Sequence, residues 1–367
     1  MSLIRHLYFH IPFCPKLCPY CCFYVETGAQ NKTTRFLDAL LHEVDRAKET
    51  HALQPETIYF GGGTPSALTC EQLEYLLGGL RARLDLSALR EWTFEVNPAT
   101  VRTDKALVLL DAGVSRISLG VQSWDDALLK TLGRIHDAGQ AEKTYGILRD
   151  AGFDNINIDL MFAVPGQSVT QWQATLNRTI ALRPQHVSSY CLTYEEDTEY
   201  FRQLKLGTFR QDDDRDVALF ETTIDTLTAA GFGHYEISNY AQPGFESIHN
   251  FAYWQGTDYL GFGPSAFSTV GHRRWQILPD TAGYTERTLA NENTVHFTEE
   301  LTPTTRAGEI AAFATRTRDG IATDALGRWG EEMREFRELG FVEDRDGRTV
   351  LTRRGKLMAD SVAEAFV

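Results

Sequence analysis

The 367-residue chain has no apolar run approaching the length a helix needs to cross a bilayer. It shows no secretory leader either, because Met1-Ser2-Leu3-Ile4-Arg5 leads straight into a strand-like segment. Low-complexity tracts and short repeats are missing. Positive charge is in short supply: 36 Lys and Arg face 50 Asp and Glu, for a net charge of −14. An acidic surface repels phosphate backbones, which argues against nucleic acid as the main ligand, though a local basic patch stays open. The expectation is a soluble, cytoplasmic protein with no transmembrane segment. Contact with a membrane surface is compatible with this composition.

What is present points to one large domain with an appendage. The hydrophobic share of 43% is ordinary for a protein with a substantial core. Strand-like segments at Leu7–Ile11, Thr57–Gly61, Trp92–Val96, Arg116–Val121, Asn155–Met161 and Val187–Leu192 alternate with helix-like ones. The helices are expected at Thr33–Glu49, Thr69–Leu84, Asp104–Ala112, Ala138–Ala151 and Val169–Leu182. Several stop at Gly113, Gly152 or before Pro184. Six βα units in series imply an α/β protein with a parallel sheet. Periodicity alone does not separate an open sheet from a complete or partial barrel. In either, chemistry sits at the C-terminal strand ends. There the sequence gathers its cysteines, Gly61-Gly62-Gly63-Thr64-Pro65, Glu95-Val96-Asn97-Pro98, Gln122 and Asp159.

The second half changes character. Gln211–Asp216 is a charged helix start, and Tyr235–Phe267 is rich in aromatics and glycine. After Thr302-Pro303 a small domain begins, with a helix at Arg328–Leu339, a hairpin at Phe341–Leu351 around Asp346-Gly347, and a helix at Arg353–Phe366. That order suggests a winged-helix-like α/β module, although the acidic surface weakens a DNA-binding role. The expected division is a core over 1–210, a distinct region over 211–300 and a C-terminal domain over 301–367.

Six cysteines are present, and four of them (Cys14, Cys18, Cys21, Cys22) fall within nine residues. In a reducing compartment such a cluster suggests metal binding rather than disulfides. The spacing Cys14-x3-Cys18-x2-Cys21 supplies three thiolates on one short loop. Three thiolates leave one iron of a [4Fe–4S] cubane open to an exchangeable ligand. A structural zinc site is the alternative, but it wants four ligands in paired spacings, and no second CxxC or HxxxH pair completes one.

The run Leu7-Tyr8-Phe9-His10-Ile11-Pro12-Phe13-Cys14-Pro15-Lys16-Leu17-Cys18-Pro19-Tyr20-Cys21 resembles the radical-SAM opening of the oxygen-independent coproporphyrinogen III oxidase superfamily. So do Phe60-Gly61-Gly62-Gly63-Thr64-Pro65, Phe94-Glu95-Val96-Asn97-Pro98, Leu119-Gly120-Val121-Gln122-Ser123 and Ile158-Asp159-Leu160-Met161. The resemblance covers nearly the whole chain and implies a parallel (β/α)6 partial TIM barrel of radical-SAM type. It implies a [4Fe–4S] cluster on Cys14, Cys18 and Cys21 with S-adenosylmethionine (SAM) on the fourth iron. The glycines let backbone approach the methionine part of SAM, with Gly62, Gly63 and Thr64 at the site. Glu95, Gln122, Arg134 and Asp159 match SAM-contacting positions. Tyr8 and Tyr20 match aromatic positions beside the cluster, and Cys191 matches a small residue on the sixth strand.

Two departures select a branch. The decarboxylating oxidases carry a further cysteine where this chain has Phe23, and a long extension where only 13 residues precede Cys14. The shorter form resembles the HemW haem-chaperone branch, as does His249-Asn250-Phe251-Ala252-Tyr253-Trp254, similar to that branch's HNxxYW segment. This implies haem as a third cofactor, bound in or near the barrel mouth. It also implies a haem-acceptor protein as partner, membrane-associated acceptors included. Imidazole is a common axial haem ligand, so His249 is the candidate, with His10, His234 and His272 competing. Cys22 reads as a spectator, with a substitute-ligand role left open. A radical enzyme acting on a porphyrinogen and a two-SAM radical methyltransferase are the alternatives, since their SAM sites would look the same.

Overall fold

The computed structural model describes residues 2–28 and 33–367. Six strands run parallel: β1 (Ser2–Ile11), β2 (His51–Gly62), β3 (Glu91–Val96), β4 (Arg116–Gln122), β5 (Ile156–Phe162) and β6 (His186–Cys191). They alternate with α1 (Thr33–Thr50), α2 (Cys70–Arg83), α3 (Thr103–Ala112), α4 (Ala138–Ala151) and α5 (Val169–Leu182). Local chemistry sets these helix limits. Thr69 with Gln72 and Ser168 with Gln171 form capping boxes, Asp137 caps α4, and Gly113 and Gly152 close α3 and α4 in the left-handed region.

The strands alternate strictly. Phe9, Phe60 and Phe94 lie in register and stack at 4.8 and 5.2 Å on the face covered by helices, with Ile58, Trp92, Leu119, Ile158 and Val187 buried in the same core. The residues between them face inward and are mostly polar, including Thr57, Tyr59, Glu95, Arg116, Ser118, Asn157, Asp159 and His186. A parallel sheet is ordinarily apolar on both faces. Here the inner face is polar, as in a barrel that holds a ligand.

Residues 211–300 share this core rather than forming their own. After α6 (Asp213–Ala229), strands β7 (Gly233–Glu236) and β8 (Asn239–Ala241) extend the sheet antiparallel beyond β6. Helix α7 (Ile248–Trp254) follows, and β9 (Leu260–Phe262) returns to pair parallel with β1. The full order is β9-β1-β2-β3-β4-β5-β6-β8-β7, a (β/α)6 partial barrel with short additions at each edge. Strands β10 (Phe267–Val270) and β11 (Arg273–Ile277), helix α8 (Thr281–Leu289) and strand β12 (Val295–Glu300) follow, the three strands forming an antiparallel sheet. One apolar core accordingly runs from Ile4 to Tyr284.

The C-terminal unit has a separate core of residues such as Leu326, Met333, Val342, Leu351 and Phe366. It comprises α9 (Pro303–Thr315), β13 (Ile321–Ala322), α10 (Gly330–Glu338), β14 (Val342–Arg345) and β15 (Arg348–Leu351), with the three strands antiparallel. Arg345 pairs with Arg348 across a two-residue turn in which Asp346 and Gly347 have φ of 51° and 74°. Asp-Gly suits that turn because both positions need positive φ. The terminal segment expected as one helix is two, α11 (Arg353–Lys356) and α12 (Ala359–Glu364); nothing local explains the break at Leu357-Met358.

Candidate functional site

At the C-terminal ends of the strands lies a cavity of about 410 Å³, within the range of small-molecule sites. Its wall includes Cys14, Cys18, Cys21, Tyr20, Gly62, Gly63, Thr64, Glu95, Gln122, Arg134, Asp159 and Cys191. These are twelve of the fourteen residues expected at the site, drawn together from across 178 positions of sequence. Tyr59, Tyr190 and the exposed Cys22 join them.

The cysteine loop is fixed at several points. His10, buried at the end of β1, bonds the Tyr24 carbonyl through Nε2 at 2.8 Å and the Tyr8 hydroxyl through Nδ1 at 3.1 Å. Glu26 N donates to Pro12 O at 2.7 Å, closing the loop on itself. Thr64 N donates to Phe13 O at 2.8 Å, and its hydroxyl lies 3.3 Å from Cys14 Sγ. The glycine run serves this packing as well as any ligand: a Cβ on Gly62, whose φ is +102°, would lie 2.6 Å from the His10 ring, and one on Gly63 would lie 2.8 Å from the Pro12 backbone.

Arg134 spans the cavity wall. Its Nη2 donates to Gly120 O at 2.9 Å, its Nη1 points at Cys18 Sγ at 3.8 Å, and its buried Nε has no partner. Glu95 accepts from the Tyr59 hydroxyl at 2.8 Å, and burial, helped by Asp159, pushes its carboxyl up to about 8. Asp159 accepts from Ser118 Oγ at 2.8 Å and Asn157 Nδ2 at 2.7 Å, and burial raises it too. Burial also raises the bare thiols of Cys14 and Cys21, the latter to about 11. Among the described residues no group of three or more His, Cys, Asp or Glu side chains is drawn in around one ion position.

Two expected residues fall elsewhere. Tyr8 does not line the cavity; its ring stacks behind Tyr59 at 6.1 Å and its hydroxyl is turned to His10. His249 lies beneath the cavity rather than at its mouth. Its Nδ1 sits 2.8 Å from Thr57 Oγ1, which also meets His6 Nδ1 at 2.9 Å, and its ring is 5.1 Å from the Tyr59 ring. Glu91, the first residue of β3, accepts from Ile248 N at 2.9 Å, His249 N at 3.1 Å and Ser247 Oγ at 3.3 Å, so α7 is anchored at the N-terminal end of the strands. Thr57 precedes Gly62 by five residues, roughly 16 Å of strand. The mouth is therefore not where this segment lies. Its Tyr253 and Trp254 pack on Phe313 of α9 at 5.3 and 5.8 Å, with Arg316 over the indole and Tyr253 42% exposed. Of the competing histidines, His10 has both nitrogens engaged, as does His234, held by Ile237 O and Lys356 Nζ. His272 is exposed.

Sequence reasoning missed Tyr59, which lines the cavity, and the buried Arg116 and His186, which share the inward face of the sheet below it. Arg116 is 1% exposed and has an unpartnered Nε; it lies close enough to Glu95 and Asp159 to favour their charged forms. His186 joins Asn157 Oδ1 at 2.7 Å to the Tyr235 hydroxyl at 2.8 Å, and burial holds it neutral. The signal that would have found all three is the inward register of the alternating strands.

A partial barrel with three thiols at its mouth defines a radical SAM protein. The profile of the Radical SAM superfamily matches residues 8–179. The chain is 33% identical to Heme chaperone HemW of Lactococcus lactis, over 98% of this chain and 96% of that one, and 30% identical to Heme chaperone HemW of Bacillus subtilis over 99% of each. It belongs to the HemW family of that superfamily. The solved structure of coproporphyrinogen III oxidase (HemN) from Escherichia coli shares the fold, with a TM-score of 0.85 over 100% of this chain and 90% of that one at 24% identity. Membership brings a [4Fe–4S] cluster and SAM as cofactors. The cavity suits them: three thiols of the right donor type share one wall, and the orphaned Arg134 Nε awaits an acceptor.

Proposed function

We propose that this protein is a haem chaperone. It binds haem at the His249–Trp254 segment and passes it to a protein with an empty haem site, in solution or at a membrane. Cys14, Cys18 and Cys21 hold the cluster and leave one iron for SAM. Arg134 pairs with the SAM carboxylate, while Glu95 and Asp159 take the ribose hydroxyls and ammonium group. The backbone of Gly62 and Gly63 admits the methionine part, with Thr64, Tyr20, Gln122 and Cys191 completing the wall. When bound, the cluster supplies one-electron chemistry and an open iron position.

The observation that carries the haem reading is the setting of His249. Thr57 engages Nδ1, so Nε2 is the nitrogen left for iron, and the partner on Nδ1 fixes the ring as the hydrogen-bond partners of metal-bound imidazoles do. The half-exposed Tyr253 and Trp254 beside it offer an aromatic surface to a macrocycle. Its relatives in Lactococcus lactis, Bacillus subtilis and Escherichia coli, named as haem chaperones, support the same reading.

The test is anaerobic reconstitution followed by three assays: haem titration, transfer to an apo-haemoprotein, and incubation with coproporphyrinogen, SAM and reductant. Saturable haem binding, transfer and no protoporphyrinogen are expected. Decarboxylation, or failure to bind haem saturably, would overturn the reading.

A further inference from the structure

A second cavity, of about 230 Å³, lies where α6 and β7 of the barrel meet the C-terminal hairpin and α11. Its wall carries Arg318, Arg345, Arg353 and Lys356 beside a neutral His234, with Glu343 as the carboxylate in the wall and Glu221, Asp225, Glu246 and Asp319 pairing with the arginines from around it. The distinctive feature is one ammonium in this wall, Lys356, that meets no carboxylate among the described residues while each arginine does. Neither the cluster nor the haem reading uses it.

The cations differ in how they are neutralised. Arg353 pairs with Asp225 and Glu221, Arg318 with Glu246, and Arg345 with Glu343. Half-buried Lys356 has no carboxylate partner among the described residues. Its Nζ instead donates to His234 Nδ1 at 3.0 Å. His234 can only accept there, because its Nε2 donates to Ile237 O at 3.0 Å, so the imidazole is neutral. Burial, then repulsion from Arg345 and Arg353, lowers Lys356 to about 8. A partly desolvated ammonium facing two guanidinium groups is an arrangement that an anion relieves.

We propose that this pocket binds a phosphate monoester group. A guanidinium fork meets phosphate oxygens two at a time; Arg353 spends its fork on Asp225, but Arg345 meets Glu343 through Nη2 alone and keeps N–H groups for a phosphate, and the Lys356 ammonium adds a point charge. The volume falls below the roughly 300 Å³ at which organic-ligand pockets begin, so the pocket takes the phosphoryl group and leaves the rest of the ligand outside. That group is shared by soluble phosphate esters and by phosphatidic acid headgroups.

The test uses the full chain in two arms. In the first, Tm is followed against inorganic phosphate at ionic strength held constant with chloride, for wild type, Lys356→Met, Arg345→Gln and Arg334→Gln. Arg334 lies on an exposed helix face outside the pocket and controls for bulk charge. A saturable rise in Tm is expected for wild type and Arg334→Gln, as for any ligand that binds only the folded state. Arg345→Gln should weaken the apparent dissociation constant roughly tenfold. Lys356→Met should raise Tm in chloride, by removing the unneutralised ammonium, and abolish the response to phosphate. The second arm is flotation with phosphatidylcholine vesicles, with or without phosphatidic acid. Flotation that needs phosphatidic acid and Lys356 assigns the lipid source, and saturation by inorganic phosphate without flotation assigns the soluble one. No saturation in either arm, an equal response in all four proteins, or a response to acetate but not phosphate would each overturn the proposal.

Discussion

At the residue scale the cysteine loop was legible because its chemistry is carried by side-chain type and spacing. Cys14, Cys18 and Cys21 face one cavity, whereas Cys22 is exposed at its rim. Replacing any of the three with serine should abolish the cluster, since an alkoxide substitutes poorly for thiolate on iron, while Cys22→Ser should keep full iron content. Iron and sulfide analysis with the cluster's visible absorbance reads this directly; an iron-free Cys22→Ser protein would move the ligand assignment. Tyr59 was not legible, because a tyrosine in a strand reads as core until the strand's inward face is known. Its hydroxyl is the donor to Glu95. Tyr59→Phe should keep the ring against His249 but loosen that carboxylate, weakening SAM affinity by about 1–2 kcal/mol, roughly tenfold. Calorimetric titration with SAM is the check, and unchanged affinity would remove Tyr59 from the site.

At the scale of elements, helices α4 and α5 were readable to the residue because their limits are written in caps: Asp137 and Gly152 for α4, and Ser168, Gln171 and the approach to Pro184 for α5. Strand ends were less readable. Strand β2 begins at His51 rather than Thr57 because it pairs with Ser2–Ile4 of β1 before a register shift, whereas Pro55 in that stretch reads from sequence as a strand break. Pairing between distant helices left no local trace at all. Glu43 on α1 accepts from the Tyr284 hydroxyl on α8 at 2.7 Å and from Gly263 N at 2.9 Å, and burial pushes it up to about 7. In the folded state it keeps a proton that the unfolded chain has already lost. Its contribution is therefore full below the unfolded value near 4.5 and is lost as pH rises toward 7. Glu43→Gln should flatten the decline in Tm over that window relative to wild type. Parallel curves for the two proteins would show that Glu43 does not titrate between the folded and unfolded states.

At the scale of the whole molecule, the barrel separates two constellations that the sequence could only list side by side. The thiols, Arg134 and Glu95 occupy the C-terminal ends of the strands, while α7 is anchored at the other end by Glu91. Motif order along the chain carries no information about which end of a strand a later helix will cover, so the sequence could not show that the His249 segment lies away from the mouth. If the His249 segment is the haem site proposed above, the geometry makes it separable from the cysteines. His249→Ala removes an imidazole on the far side of Tyr59 from the cluster loop and should weaken haem uptake while leaving the cluster spectrum unchanged. Cys18→Ser should lose the cluster yet bind haem like wild type, because Cys18 lines the cavity at the C-terminal strand ends while Glu91 anchors α7 at the N-terminal ends. Thr57→Val should fall between, retaining the ligand but losing the hydroxyl that orients it. An anaerobic haem titration of these three proteins beside wild type, followed at the Soret band and at the cluster absorbance, measures both sites at once. Equal affinity in wild type and His249→Ala would remove His249 as the ligand. Loss of haem binding in Cys18→Ser would place haem against the cluster after all, and the two ends of the barrel would have to act as one site.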